Sequence, residues 1–361
     1  MVNRHQTSGF DEEFSRRSKE SLTKLLLQAD SRRPIHFIVL TDDWSRQDVG
    51  EFMVTLLARL ISTELIQVQN RKRKHIPPVY VSLVDYHEVA NLNMDFVKTF
   101  QSYKLGDKEA LQEDKYSRDF FYIAPFYHLA FTSLTTLIFL DCFDLDFKAD
   151  IGLLTDEVKK MEKTSAVIGI GLDLSPHYRI KMEAYNKIYG MGPDSPGRPG
   201  RFQGFNSGVV IFHLERMRRS ETYNSYLNSK ELVALFTEQF VRPSVGDQDW
   251  FTSLGFKEPE LFYVLPCQFN VQTSLQWMKE SYKDVFDDYH YCDNMQNVKI
   301  IHLNGCGPTP KDCGNLGDPS LHASKRFRNG DYDHIMYGTF QMDWTFFIRK
   351  KWQKVRQIES S

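Results

Sequence analysis

The chain has 361 residues, 41% of them hydrophobic and 14% aromatic, and a formal net charge of −2. That length and apolar content suit one large α/β domain or two smaller ones with a sizeable core. The near-neutral charge gives no case for nucleic acid or an acidic membrane surface as a partner. No apolar run reaches the roughly eighteen residues a membrane-crossing helix needs, and the N-terminus MVNRHQTSGFDEEFSRR has no apolar core of a signal peptide, which taken alone points to the cytosol.

In chain order, residues 11–30 read as an amphipathic helix with Phe14, Leu22, Leu25 and Leu26 on one face, ended by Pro34. IHFIVLTDD (35–43) is a buried strand closing on acidic turn residues. Ser45 can cap a helix over 46–62 whose apolar face includes Phe52, Leu56, Leu60 and Ile61. The basic run Arg71-Lys72-Arg73-Lys74 lacks interleaved aromatics and reads as a solvated loop. VYVSLV (79–84) is a strand, and a helix over 117–132 leads into TLIFLDCFDLDFKADIGLL (136–154). SAVIGIG (165–171) is a strand, 189–204 a Gly/Pro-rich loop, GFNSGVVIFHL a further strand and 214–228 a helix. GDQDWFTSL opens another helix, and LFYVLP and NVKIIHLNG are late strands. There are no repeats or low-complexity tracts. Alternating strands and helices predict a mostly parallel sheet, with ligands beyond the carboxyl ends of its strands. Three polar strand ends then stand out: Asp42-Asp43, the aspartates after LIFL, and His302 to Asn304.

Asp141, Asp144, Asp146 and Asp150 follow the apolar strand closely. Crowded carboxylates repel one another, and a divalent cation removes that cost by taking their oxygens into its shell. Oxygen ligands suit Mg²⁺ or Mn²⁺, and an added imidazole favours Mn²⁺. Such an ion keeps positions open for phosphate oxygens. The same residues also fit a plain acidic loop after a strand, Asn206-Ser207 a turn before one, and Asp247 an acidic helix N-terminus. The five cysteines show no C-x-x-C spacing, so zinc is not expected. Cys267, Cys292, Cys306 and Cys313 are read either as two disulfides or as free thiols.

FLDCFDLDFKADI, GFNSGVVIFHLE, GDQDWF and IIHLNG, in that order over residues 115–315, resemble the retaining glycosyltransferases of family 8, the glycogenin-like superfamily. PELFYVLPCQFN, YKDVFDDYHYC and NVKIIHLNGC resemble its xylosyltransferase members, which act on O-linked sugars of EGF-like repeats. The resemblance implies a single GT-A domain over 1–330, with a nucleotide half at 11–155, an acceptor half at 156–330 and a helical, aromatic tail at 331–361. It implies retaining transfer of xylose from UDP-xylose to a xyloside on an EGF-like repeat, forming an α-1,3 linkage, in the lumen of the endoplasmic reticulum or Golgi. Membrane association would come only through an anchor absent from this sequence. Mn²⁺ would be held by Asp141, Asp144 and His302. The aspartate motif carries one extra residue, Asp-Cys-Phe-Asp, which a bulge would absorb; the other candidate pair is Asp144 and Asp146. Asn206, Ser207 and Cys142 would face the donor, Asp247 and Gln248 the reacting centre, and Trp277 and Asn304 the acceptor; Trp277 fits plain core equally well. At least one disulfide is expected, Cys267–Cys292 first and Cys306–Cys313 second. Leu303 stands where those members have glycine. The family's first strand, which contacts the uridine, has no counterpart before IHFIVL, so this sequence is expected to bind UDP more weakly than one extended upstream. A weakened, glycosyltransferase-like binding protein and a cytosolic glycogenin-like glucosyltransferase are the other readings.

Overall fold

A computed structural model of the chain describes residues 8–43, 45–69, 75–104, 119–141, 144–175, 177–189, 202–239, 241, 243–272, 292 and 297–303. Cys142, Trp277, Asn304, Cys306, Cys313, the basic run at 71–74, most of the Gly/Pro-rich loop and the tail at 331–361 lie outside them.

Helix α1 (Ser8–Gln28) buries Leu22, Leu25 and Leu26, the face its periodicity predicts. Strand β1 (Ile35–Thr41) follows, then α2 (Arg46–Gln69). The Asp42 carboxylate accepts from the Ser45 backbone N–H at 2.7 Å, so this acidic strand end serves the entry to α2. On α2, Leu56 is buried and Phe52 and Leu60 pack against the core, but Ile61 is 50% exposed. One residue past Leu60 is a turn of about 100°, which carries Ile61 off the stripe. Strand β2 (Val79–Asp85) leads to α3 (Tyr86–Ala90) and α4 (Met94–Lys104), neither assigned from the sequence pattern.

The helix expected over 117–132 is broken. Two 3-10 turns, Asp119–Tyr122 and Ala124–Phe126, precede the short α5 (Tyr127–Ala130). Pro125 supplies no backbone N–H and disfavours helix at the residue before it. Next come β3 (Leu137–Leu140), β4 (Leu145–Phe147), α6 (Leu154–Met161), β5 (Ile168–Leu172), α7 (His177–Lys181), α8 (Glu183–Tyr189) and β6 (Phe205–Phe212). The helix expected over 214–228 is two, α9 (Leu214–Arg219) and α10 (Glu221–Ser225). Ser220 separates them in an extended conformation, and its hydroxyl accepts from the Tyr223 N–H to start the second. The remaining elements are α11 (Ser229–Glu238), α12 (Asp247–Lys257), β7 (Phe262–Val264), β8 (Val271–Gln272) and β9 (Ile300–His302).

Among the described residues the strands form three sheets, ordered β1-β2, β3-β6-β5-β7 and β4-β9-β8. Pairs β1–β2, β5–β7 and β8–β9 are parallel, whereas β3–β6, β5–β6 and β4–β9 are antiparallel. The sheet is therefore mixed rather than mostly parallel. Between β5 and β6 lie helices of five and seven residues, which rise only about 8 and 10 Å. β6 runs antiparallel to β5.

The larger core packs the β1-β2 and β3-β6-β5-β7 sheets against an aromatic cluster in which Phe96 meets Phe100, Phe126 and Trp250 edge-on. Arginines of α9 close two helix ends. Arg216 donates to the carbonyls of Met161, Glu162, Thr164 and Ala166 after α6, and Arg218 to those of His128, Phe131 and Leu134 after α5. A disulfide joins Cys267 to Cys292, with Cα atoms 5.5 Å apart.

Candidate active site

Strand β3 runs out at Leu140, and the Asp141 N–H still pairs with the Gly208 carbonyl at 2.9 Å. The Asp144 N–H reaches the Asp141 carbonyl at 3.2 Å, and the chain continues into the third sheet as β4, with Leu145 opposite His302. The Asp144 carbonyl accepts from the Leu303 N–H at 2.7 Å. The Asp144–Asp141 hydrogen bond holds the two aspartates close. Ligand atoms of Asp141, Asp144 and His302 lie within 4.8 Å of one another. Two carboxylates and one imidazole at this spacing are a donor set for a hard divalent ion.

Asp146 does something else. Its carboxylate is 3% exposed and lies between Lys24 of α1 at 2.8 Å and Lys148 at 3.0 Å. Those two ammonium groups offset its charge and tie α1 to β4. Of the two aspartate pairs the sequence allowed, only Asp141 and Asp144 join the cluster with His302.

The imidazole of His302 is held from behind. Its Nδ1 lies 3.0 Å from both the Asn206 and the Asn270 amide oxygens. The Asn270 Nδ2 donates to the Asn206 oxygen at 2.9 Å and to the Asn206 carbonyl, which fixes the orientation of both amides. Two acceptors at Nδ1 require that nitrogen to carry the proton, leaving Nε2 with a lone pair. Burial pulls the imidazole down to about 3, so it stays neutral. A neutral imidazole oriented through its far nitrogen fits a metal ligand.

The Asn-Ser-Gly segment is a bulge. Between β5 and β6 the register jumps from Ile170 opposite Val210 to Gly171 opposite Asn206, leaving Ser207, Gly208 and Val209 unpaired with β5. Asn206, expected to face a donor, spends its side-chain oxygen on His302, Asn270 and the Gly208 N–H. Gly208 leaves room for the histidine: a Cβ there would stand 2.4 Å from His302 Cε1 and Nδ1.

Helix α12 brings Asp247 and Gln248 to the same region. Gly246 precedes it at φ 72°, with the Phe121 carbonyl where a Cβ would stand, so only glycine is comfortable there. Gln248 Oε1 accepts from the Ser207 N–H at 3.1 Å. Asp247 keeps part of its surface exposed, yet burial of its carboxyl, with the Asp249 and Asp141 carboxylates nearby, pushes it well above the usual carboxylate range.

The structure thus gathers Asp141, Asp144, His302, Asn206, Ser207, Asp247 and Gln248 around β3, β6, β9 and α12. Asn270, which holds His302, was not identified from sequence; its only signal was its place at the end of the PELFYVLPCQFN run. The Cys267–Cys292 bridge sits at the start of the 3-10 turn that delivers Asn270.

Over 247 residues the chain is 32% identical to Xyloside xylosyltransferase 1 of Homo sapiens, an alignment covering 66% of the chain and 61% of that protein. The chain thus spans about 61% of the length of the xylosyltransferase relatives it matches. It is 30% identical over 176 residues to the Danio rerio Xylosyl- and glucuronyltransferase LARGE2s, covering 48% of the chain and 20% of that protein. No protein-family profile matches. The crystal structure of mouse Xyloside xylosyltransferase 1 in its apo form superimposes with a TM-score of 0.64 at 26% identity, over 81% of this chain and 92% of the other. By sequence and by fold the chain is similar to the xyloside xylosyltransferases, with a GT-A-like glycosyltransferase fold.

Proposed function

We propose that the chain is a retaining glycosyltransferase that moves xylose from UDP-xylose onto a xyloside acceptor, with Mn²⁺ held by Asp141, Asp144 and His302. The observation that carries this reading is the carboxylate–carboxylate–imidazole cluster, with its neutral, doubly held histidine, beside the Gln248 amide. The finer expectations belong to the same proposal: an acceptor on the O-glycans of EGF-like repeats, an α-1,3 linkage, and a lumenal compartment. No described helix is long and apolar enough to cross a membrane.

When bound, the ion would supply the positive charge that stabilises a departing diphosphate. The protein's own residues supply position and field. Gln248 offers an amide rather than a carboxylate nucleophile where the anomeric carbon would sit. The chain therefore suits entry of the acceptor hydroxyl on the face the diphosphate leaves, with configuration retained. The Gln248 carbonyl dipole would stabilise the oxocarbenium charge as it grows.

Transfer assays with UDP-xylose, UDP-glucose and UDP-galactose, with and without Mn²⁺, test the reading. We expect Mn²⁺-dependent transfer from UDP-xylose to a xyloside. A clear preference for a hexose donor would overturn the donor assignment, and Mn²⁺-dependent UDP binding without transfer to any acceptor would make the chain a binding protein.

A further inference from the structure

Behind Gln248 lies a buried chain of polar groups that the proposed mechanism does not yet use. The Gln248 Nε2 donates to the Tyr178 hydroxyl at 3.3 Å, and that hydroxyl donates to Asp249 Oδ1 at 3.1 Å. The same carboxylate oxygen accepts from Lys181 at 2.5 Å. Its other oxygen accepts from the backbone N–H groups of Ser244 and Val245, the latter at 2.7 Å. Asp249 and Tyr178 are fully buried, and the Lys181 side chain is 12% exposed. The Tyr178 ring is seated against Gly204, whose φ of 94° and missing side chain make room for it; a Cβ there would lie 2.1 Å from Tyr178 Cδ2.

Every donor in this chain has one possible direction. The Ser207 N–H can only donate, so Gln248 must present Oε1 to it and Nε2 to Tyr178. An amide N–H cannot accept, so the Tyr178 oxygen receives it and the phenol proton must point elsewhere. Asp249 is the acceptor on that side. Thr252 also hydrogen-bonds the phenol, and its own oxygen accepts from the Phe205 N–H at 3.0 Å. It can therefore give its proton to Tyr178 without reversing the order. Burial works to raise the Asp249 carboxyl, but Lys181, with the Val245 N–H, outweighs it and holds it below the usual carboxylate range. Burial, with Asp249 adding to it, raises the Tyr178 phenol well above its ordinary value. The acceptor thus stays ionised and the donor stays protonated.

We propose that Lys181, Asp249 and Tyr178 are positioning residues that fix which end of the Gln248 amide faces the reacting carbon. They need not touch the substrate. Lys181 keeps Asp249 charged, Asp249 sets the direction of the Tyr178 proton, and Tyr178 prevents the Gln248 amide from rotating. With Oε1 anchored to Ser207, its second lone pair is the group left to meet positive charge at the anomeric centre. This inference rests on the glycosyltransferase reading for its catalytic meaning, but the link between the groups is testable without it.

Two isosteric variants separate this role from packing. Tyr178→Phe deletes one hydroxyl and keeps the ring. Asp249→Asn keeps the shape but must turn its amide oxygen to the Ser244 and Val245 N–H groups, so its NH₂ faces Tyr178 and reverses the chain. In protein labelled with ¹⁵N-glutamine, the Gln248 side-chain signal, assigned by its loss in Gln248→Ala, should move or broaden in both variants. In transfer from UDP-xylose, kcat should fall about tenfold or more, with KM for the donor within about twofold, as misorientation at the reacting centre predicts. Tyr178→Phe is the decisive variant if Asp249→Asn does not fold. An unchanged Gln248 signal in Tyr178→Phe would overturn the positioning role whether or not the protein is active. A moved signal with unchanged kcat would overturn its catalytic meaning. Absence of transfer by the wild type would remove the proposed function while the Gln248 signal still reads the link.

Discussion

Gly208→Ala should disable the metal cluster through contact with a single ring. The added Cβ would lie 2.4 Å from His302 Cε1 and Nδ1, where ordinary contact begins near 3.4 Å, so the imidazole must retreat by about 1 Å in a close-packed interior. It is held at 3.0 Å by both Asn206 and Asn270, and that retreat takes both hydrogen bonds past useful length. Each such bond is worth about 1 kcal/mol, and overpacking a core costs about 1–3 kcal/mol. We expect about 3–5 kcal/mol of lost stability and at least a tenfold loss in Mn²⁺ affinity, as for a ligand whose orienting partner is removed. The backbone at Gly208 is not left-handed, since only Gly204 and Gly246 have positive φ among the described glycines, so strain cannot account for the effect. Gly50→Ala is the control, because its Cβ would meet Leu83 at an ordinary 3.5 Å. Calorimetric Mn²⁺ titration and thermal unfolding of both variants give the answer. If Gly208→Ala bound Mn²⁺ as tightly as wild type, His302 would not be a ligand held in place by this bulge.

The two aspartate pairs can be separated by substitution. Asp144→Asn should abolish Mn²⁺ binding with little change in melting, whereas Asp146→Asn should spare Mn²⁺ binding and destabilise the fold by about 1–3 kcal/mol, since it leaves Lys24 and Lys148 without their buried partner; equal Mn²⁺ loss in both would refute the assignment. Reducing the Cys267–Cys292 bridge, which spans 25 residues, should cost about 3 kcal/mol and weaken Mn²⁺ binding through Asn270; an unchanged melting temperature in Cys267→Ala/Cys292→Ala would contradict this. Stability should also fall with acid, because burial pulls His177 down to about 4 and His302 to about 3. Below about 6.5 an unfolded imidazole takes a proton that the folded one refuses, so stability drains away from pH 6.5 toward 4. Asp173, raised to about 6 by burial, opposes this by taking its proton earlier when folded. Melting from pH 7 to 4.5 should therefore show a shallower slope in His177→Gln/His302→Gln than in wild type.

Much of this molecule is local enough to be read along the chain. The buried face of α1, the apolar runs of β1, β3 and β6, and the polar ends after them follow from side-chain period and from the cost of placing charge beside apolar strands. The order of FLDCFDLDFKADI, FNSG, GDQD and IIHLNG was enough to nominate Asp141, Asp144 and His302 together. Strand direction was not readable, because alternating strands and helices do not say which pairs run parallel: β5 pairs parallel with β7 but antiparallel with β6. The fate of each aspartate was equally hidden: Asp144 and Asp146 are two residues apart, and only the packing of α1 against β4 brings Lys24 to one of them. Asn270 was marked only by its place at the end of the PELFYVLPCQFN run and Asp249 only by GDQDWF, while Tyr178 and Lys181 left no pattern at all. Their roles depend on hydrogen-bond partners tens of residues away, and the direction of each bond is decided by what the neighbouring group can donate or accept once the fold has brought them together.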